Sequence, residues 1–270
     1  MTGRGRVRFE LLMGQVRAAL PPPPARVVDA GGGTGQLAVP LASLGYQVTV
    51  VDTSAAMLAT CLQRAAAAGN EASARLATVQ GDAAEVAGLL GAAGHDAVLC
   101  HDVLAGVDEP AELLGALAVV LREGGMLSLA FPNRDWLALR AGRRGDYTGA
   151  LRLLDDPLEA AEVSAAYRGA RSESPGPGAR RAYTAAELRP WLDKAGFDLA
   201  GLFGVGVFAE VRDEEPDRAV AGQVRADSAA AMLELERRVA DREPYRSSAH
   251  TVHIVGRRRP LRPALHGYTT

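Results

Sequence analysis

The chain has 270 residues, 48% of them apolar, with 30 basic against 32 acidic side chains and a formal charge of −2. That length can bury one substantial core, and a charge so near zero carries no bulk signature of a nucleic-acid binder. The two cysteines, Cys61 and Cys100, sit far apart inside apolar patterns. They read as reduced core thiols, so neither a disulfide framework nor a metal site is expected. No stretch approaches the ~18 apolar residues of a membrane span, and no apolar run follows the charged Met1–Arg6 as a signal peptide requires. The cytoplasm is the expected compartment.

Val7–Leu20 carries Phe9, Leu12, Met13, Val16 and Leu20 at helical spacing, and Pro21–Pro24 must end that helix. Residues 1–24 therefore form an N-terminal helical segment, and residues 25–270 one domain. Strands are expected at Arg26–Asp29, Gln47–Val51, Ala74–Gln80, His95–Cys100 and Met126–Phe131. Helices are expected between them, at Gly35–Leu44, Ser54–Ala68, Ala83–Leu90 and Pro110–Arg122. Such alternation means a parallel sheet covered on both faces. From about Asn133 to Arg181 the rhythm breaks, with an Arg/Gly stretch (Arg140–Gly145) and a turn-rich one (Ser172–Gly178). This segment, 133–181, reads as an inserted cap after strand five. The rhythm returns with a helix at Thr184–Ala195, opened by a Thr184/Glu187 capping box. A strand near Leu199–Val211, a helix near Arg225–Val239 and a strand at Thr251–Gly256 complete the chain. The expected fold is α/β and doubly wound, a Rossmann-like, mostly parallel sheet of seven strands.

From Arg237 onward eight arginines face only Asp241 and Glu243, a +6 chain end that includes a basic tail at 257–270. It serves either solubility or a phosphate-bearing partner. His250 and His253 are expected on one face of the last strand with no assigned chemistry, and Trp136 and Trp191 as packing residues.

The chemistry is concentrated in Val27-Val28-Asp29-Ala30-Gly31-Gly32-Gly33-Thr34-Gly35, between a strand and a helix. Glycines at such a turn admit positive φ and close approach of a ligand, and a helix N-terminus offers unpaired N–H groups to an anion. Asp52 ends the second strand 19 residues after Gly33, where a carboxylate can bind both hydroxyls of an adenosine ribose. These residues alone leave the cofactor open. Gly33–Ala38 also fits the G-x-G-x-x-G/A pattern of nicotinamide binding, so an NAD-dependent oxidoreductase is one reading.

The wider pattern is more specific. Asp29-x-Gly31-x-Gly33-x-Gly35 resembles the D/E-x-G-x-G-x-G motif of class I S-adenosylmethionine-dependent methyltransferases. Gly81-Asp82-Ala83 is similar to their adenine-binding corner, and His95–His101 to their fourth-strand motif. Leu121–Leu127 resembles their entry to strand five, and Tyr183–Phe197 the helix that leads into strand six. The resemblance implies S-adenosyl-L-methionine as cofactor, with Gly31, Gly33 and Gly35 lining its methionyl part. Asp29 holds the loop or receives the ammonium through water. Asp52 grips the ribose, Thr53 and Met57 flank the adenine, Asp82 accepts the adenine amino group and Ala83 supplies a backbone N–H. Met57 also fits a plain core position, and Asp82 a helix N-cap.

Further stretches resemble the bacterial tRNA 5-carboxymethoxyuridine methyltransferases: Asp29–Gln36, His101–Pro110, Met126–Asn133, Gly145-Asp146-Tyr147, Gly204–Phe208, Leu233–Tyr245 and Ser248–Arg257. That resemblance implies esterification of a carboxymethoxy group on the tRNA wobble uridine. The partner is then tRNA, held by the Arg-rich chain end (Arg257, Arg258, Arg259) and the cap stretch Arg140–Arg144. A small-molecule carboxylate or hydroxyl is the alternative acceptor. Two departures stand out. Gly206 occupies the position of the family's arginine, a natural partner for the acceptor carboxylate, and the aromatic-bearing segment ahead of the family's first helix has no counterpart. Arg143, Arg144 and Arg212 are the substitutes for that arginine. The candidate catalytic residues are His101, at the end of strand four, and Tyr147, in the cap. A carboxylate acceptor needs no base, whereas a hydroxyl needs one, which His101 is placed to supply.

Overall fold

The computed structural model describes residues 3–155, 181–209 and 223–260. Helix α1 (Gly3–Ala19) stops at the proline run, which can donate no further helical hydrogen bonds. The first half of the domain then alternates as expected: β1 (Arg26–Ala30), α2 (Ala38–Ser43), β2 (Gln47–Asp52), α3 (Ala55–Ala68), α4 (Asn70–Ala74), β3 (Leu76–Gln80), α5 (Val86–Leu90), β4 (His95–His101) and α6 (Pro110–Val120). The second half comprises β5 (Leu121–Pro132), α7 (Arg134–Arg143), α8 (Tyr147–Asp155), α9 (Ala185–Lys194), β6 (Phe197–Val205), α10 (Gln223–Val239) and β7 (Thr251–Arg258).

The caps are local chemistry. Ser54 accepts the Met57 N–H at the start of α3, Asn133 accepts the Asp135 N–H at α7, and Thr184 and Glu187 close a reciprocal capping box at α9.

The seven strands lie in the order β3-β2-β1-β4-β5-β7-β6, and only β7 runs antiparallel to its neighbours. Alternation along each strand divides the core between two faces. Val28, Val98, Cys100, Leu127 and Leu129 meet α6 and α9 on one side. Val27, Leu99, Met126 and Val255 meet α1, α2 and α3 on the other. Functional groups gather at the carboxyl ends of β1 to β5, where the crossovers leave a crevice.

Several boundaries differ from the sequence expectation. The helix expected from Gly35 begins at Ala38, because Gly31, Gly33 and Gly35 take φ of 74°, 55° and 71°, outside helical backbone. Strand β5 starts at Leu121, which pairs with His95, so Gly124 and Gly125 lie inside the strand rather than closing a helix. Strand β6 is shorter than expected because Gly206, at φ 80°, turns the chain. In the segment expected as a cap, 133–155 and 181 are described and form α7 and α8, and 156–180 lie outside the described residues. Strand β7 runs on to Arg258, so the first two residues of the expected tail belong to the sheet.

Candidate active site

The glycine turn after β1 is built by close packing. A Cβ on Gly31 would strike Val103 from the turn after β4, and one on Gly35 would strike Cys61 of α3. A Cβ on Gly32 would come within 2.6 Å of the Asp29 carboxylate, which lies buried beneath the loop. Gly33 differs. Its Cβ direction is open, with only Asp52 Oδ2 within 4 Å, at 3.7 Å. Three glycines thus bring neighbouring elements together, and the fourth leaves the space beside Asp52 clear for a ligand.

The Asp52 carboxylate accepts the Gly33 N–H through Oδ2 and the Ser54 N–H through Oδ1, each at 2.9 Å. One bond per oxygen fixes the group while leaving lone pairs for two further donors. The next strand is tied in directly. The Gly81 N–H donates to the Asp52 carbonyl at 3.1 Å, and Gln80 Nε2 to the Thr53 carbonyl at 3.1 Å. Thr53 and Asp82 are exposed, Met57 is half-buried and Ala83 is buried. Asp82 does act as an N-cap, accepting the Ala84 N–H at 2.8 Å. Asp29, Gly31, Gly33, Gly35, Asp52, Thr53, Met57, Asp82 and Ala83 therefore share the carboxyl edge of three adjacent strands.

Burial and the Asp29 charge push the Cys61 thiol up to about 11, and Cys100 is raised for the same reasons. Both are inert core thiols.

His101 ends β4 with 6% exposure. Its Nε2 lies 2.7 Å from Ser128 Oγ, which lies 2.8 Å from His253 Nε2, and His253 Nδ1 is 2.7 Å from Gln15 Oε1 of α1. His250 and His253 do not share a face. They stand three residues apart, so strand alternation separates them. His250 precedes β7, bonds Thr251 Oγ1 at 2.9 Å and packs edge-on against Trp136 at 4.5 Å. Burial and the nearby Arg8 hold His250 down to about 4. His253 is held well below its ordinary value by burial, by His101 and by Arg8.

Arg8 is the residue that sequence reasoning missed most completely. From α1 its Nη2 reaches both oxygens of Asp102, at 2.8 and 2.9 Å. Asp102 directly follows β4, takes φ 63°, and its side chain is only 4% exposed. This places a guanidinium beside the turn whose Val103 packs on Gly31. Arg140 stands 5.1 Å from the centre of the Trp136 ring. Trp136 in turn contacts His250, whose N–H donates to the Gly206 carbonyl at 3.2 Å. Arg8 and Arg140, rather than Arg143 or Arg144, are thus the guanidinium groups whose charge acts on the histidine beside Gly206. Arg212 lies outside the described residues. Buried Glu236 of α10 accepts the N–H groups of Val207, Phe208 and Ala209 at 3.1, 2.8 and 2.9 Å, which shapes the turn after Gly206. Its sequence setting, Leu233-Glu234-Leu235-Glu236, does not separate it from the exposed Glu234.

In the cap segment, Trp136 is buried with Leu137, Ala138, Ala141 and Leu153, as a packing residue should be. Tyr147 is 71% exposed and so contributes no packing there. Arg143 and Arg144 beside it are exposed too.

Arg257, Arg258 and Arg259 do not reach this edge. Because β7 runs antiparallel, Arg257 pairs with Met126, while His253 pairs with Ala130 at the level of His101. Four residues of strand put Arg257 roughly 13 Å from that edge. Its Nη2 donates to the Ala19 carbonyl at 2.6 Å. Arg258 donates to the Leu121 carbonyl, and Arg259 pairs with Asp193 at 2.6 Å. These arginines staple the end of the sheet opposite His101, so the tRNA contact expected through them lies away from the glycine-turn edge.

A seven-stranded sheet of this order, with a glycine turn after β1 and an acid ending β2, defines a class I S-adenosylmethionine-dependent methyltransferase. The comparisons agree. A "Methyltransferase domain" family model matches residues 28–129. The magnesium protoporphyrin IX methyltransferase of Synechocystis PCC 6803, crystallised with bound SAH, superposes with a TM-score of 0.55 at 20% identity, covering 95% of this chain and 84% of that one. The ubiquinone biosynthesis O-methyltransferase of Xanthomonas axonopodis pv. citri is 36% identical over 119 residues, 44% of this chain and 48% of the relative. The tRNA 5-carboxymethoxyuridine methyltransferase of Escherichia coli K12 is 32% identical over 261 residues, 95% of this chain and 90% of the relative. The chain belongs to the tRNA 5-carboxymethoxyuridine methyltransferase family. It is an enzyme that uses S-adenosylmethionine, and the nicotinamide reading falls away.

Proposed function

We propose that this methyltransferase esterifies the carboxylate of a 5-carboxymethoxyuridine in tRNA. One observation carries the reading. The match to the tRNA-modifying relative runs through the acceptor half of the chain, whereas the match to the ubiquinone enzyme covers less than half of it.

The residues fit the donor. The open side of Gly33 beside Asp52 admits a ribose, and the spare lone pairs of Asp52 suit its two hydroxyls. Thr53 and Met57 flank the adenine, with Asp82 and the Ala83 N–H at its polar edge. Asp29 supports the Gly31–Gly35 loop from below. Arg8, beside that loop, suits the methionyl carboxylate. When bound, S-adenosylmethionine supplies a methyl group on a sulfonium, open to in-line displacement.

The carboxylate oxygen of the acceptor is already a nucleophile and needs no general base. The protein's task is alignment and exclusion of water. Arg140 takes the role that an arginine at 206 would fill, holding the second carboxylate oxygen. Tyr147 stacks on an unpaired base, and Arg143 and Arg144 meet phosphates. Helices α7 and α8, the described part of the expected cap, stand on the acceptor side.

The test is methyl transfer by the purified protein to tRNA bearing 5-carboxymethoxyuridine, read by nucleoside mass spectrometry. Unmodified tRNA and small carboxylates serve as comparisons. Methyl ester on the modified tRNA alone is the expected result. Intact donor binding with transfer only to a small carboxylate or hydroxyl compound would overturn it.

A further inference from the structure

The buried chain from α1 to the end of β4 has a direction. Gln15 presents Oε1 to His253 Nδ1 at 2.7 Å, and a carbonyl oxygen only accepts, so Nδ1 carries the proton. His253 is fully buried and packed 5.6 Å from a second imidazole, His101, so it stays neutral and its Nε2 is an acceptor. Ser128 Oγ must then donate to His253 Nε2 at 2.8 Å, which leaves its lone pairs for a donor at 2.7 Å, the Nε2–H of His101.

We propose that Gln15, His253 and Ser128 are positioning residues that fix His101 as its Nε2–H tautomer, with Nδ1 as the lone-pair nitrogen. Any polar group meeting Nδ1 must then donate a hydrogen bond to it. A carboxylate oxygen cannot, whereas the ring N–H of a uracil or a ribose hydroxyl can. Nδ1 is buried; resting on the function proposed above, a nucleoside N–H or hydroxyl that reaches it on acceptor binding is held there, and the carboxylate that receives the methyl group is not. The proton order itself is independent of which acceptor is used.

The chain spans 238 positions from Gln15 to His253 and 27 from His101 to Ser128, and it crosses β7, β5 and β4. Gln15 borders a groove of about 530 Å³ between α1 and β6, so exchanging it disturbs no packed core.

Protein labelled with ¹⁵N at histidine, with signals assigned by His101→Gln and His253→Gln, reports the tautomer directly through nitrogen shifts and two-bond proton couplings. The wild type should show His101 with a pyridine-like Nδ1 and a pyrrole-like Nε2 at neutral pH. Gln15→Leu removes the anchor, so both tautomers should appear, and kcat should fall about tenfold while the donor KM stays unchanged. Gln15→Glu keeps an acceptor and should restore both the tautomer and most of the turnover. A protonated Nδ1 on His101 in the wild type would overturn the proposal. So would Gln15→Leu with unchanged tautomer and kcat. The spectrum stands whatever the acceptor proves to be, so its failure is distinct from failure of the tRNA reading.

Discussion

The donor side and the acceptor side of the same sheet edge are held by contacts of different reach. Asp52 is fixed by partners 19 and 2 positions away, and Asp82 by one 2 positions away. On the other side, Ser128 meets His253 across 125 positions and Gln15 meets His253 across 238. A site made of short-range contacts can travel as a unit between enzymes, and the match to a ubiquinone O-methyltransferase, 36% identical over 119 residues, is confined to less than half of this chain. A site closed by α1, β5 and β7 together exists only when the whole chain folds around it.

The difference should be sharpest in acid. His250 is held at about 4 by burial and Arg8, against an ordinary 6.5. Its folded value is depressed, so between those limits the unfolded chain binds the extra proton. Stability is therefore full above about pH 6.5 and falls as pH drops toward 4. For His250 alone the loss amounts to about 3 kcal/mol, and His253 acts in the same direction. Urea unfolding between pH 7 and 4 checks this, with His250→Phe expected to flatten the slope by that amount. Hydrogen exchange near pH 5 should rise first in β7 and α7 and later in β1 to β3. Equal rise in both regions would erase the distinction.

Asp52→Ala comes next in size. It removes the carboxylate that two backbone N–H groups preorganise, so donor affinity measured by calorimetry should fall about 30-fold, ~2 kcal/mol. tRNA affinity should be unaffected, because no acceptor-side contact runs through Asp52. A comparable loss in both would mean that the two regions are coupled.

The same distinction explains what could be read in advance. The alternation of strands and helices, the glycine turn and the acid that ends β2 follow from periodicity and spacing, and the Asp82 corner from resemblance, all within about 60 residues. The capping box at Thr184 was legible for the same reason. Arg8 was not, because nothing in an amphipathic helix says which residue will lie beside the end of β4. His253 and Ser128 were equally silent. A histidine and a serine in apolar strands look like incidental polar residues until β5 and β7 are paired. The place of Arg257–Arg259 at the far end of the sheet was hidden for a simpler reason. Charge along the sequence carries no information about which end of an antiparallel strand faces the site.

The smallest effects should come from arginines, and they separate the two ends of the sheet. Arg143 and Arg144 are exposed next to Tyr147 on the cap segment. Arg257 and Arg258 donate to carbonyls of Ala19 and Leu121 at the far end. If tRNA lies across the cap, Arg143→Ala and Arg144→Ala should each weaken its binding about threefold at low salt. Each should also reduce the slope of log affinity against log salt by roughly 0.7, the contribution of one single-strand phosphate. Arg257→Ala and Arg258→Ala should leave tRNA affinity and its salt slope unchanged and instead lower the unfolding midpoint, since each removes the donor to a part-buried carbonyl. Filter binding at several salt concentrations, with thermal unfolding of the same variants, decides between them. A drop in tRNA affinity confined to Arg257 and Arg258 would move the RNA to the opposite end of the sheet, away from His101, where no wobble base could reach the donor.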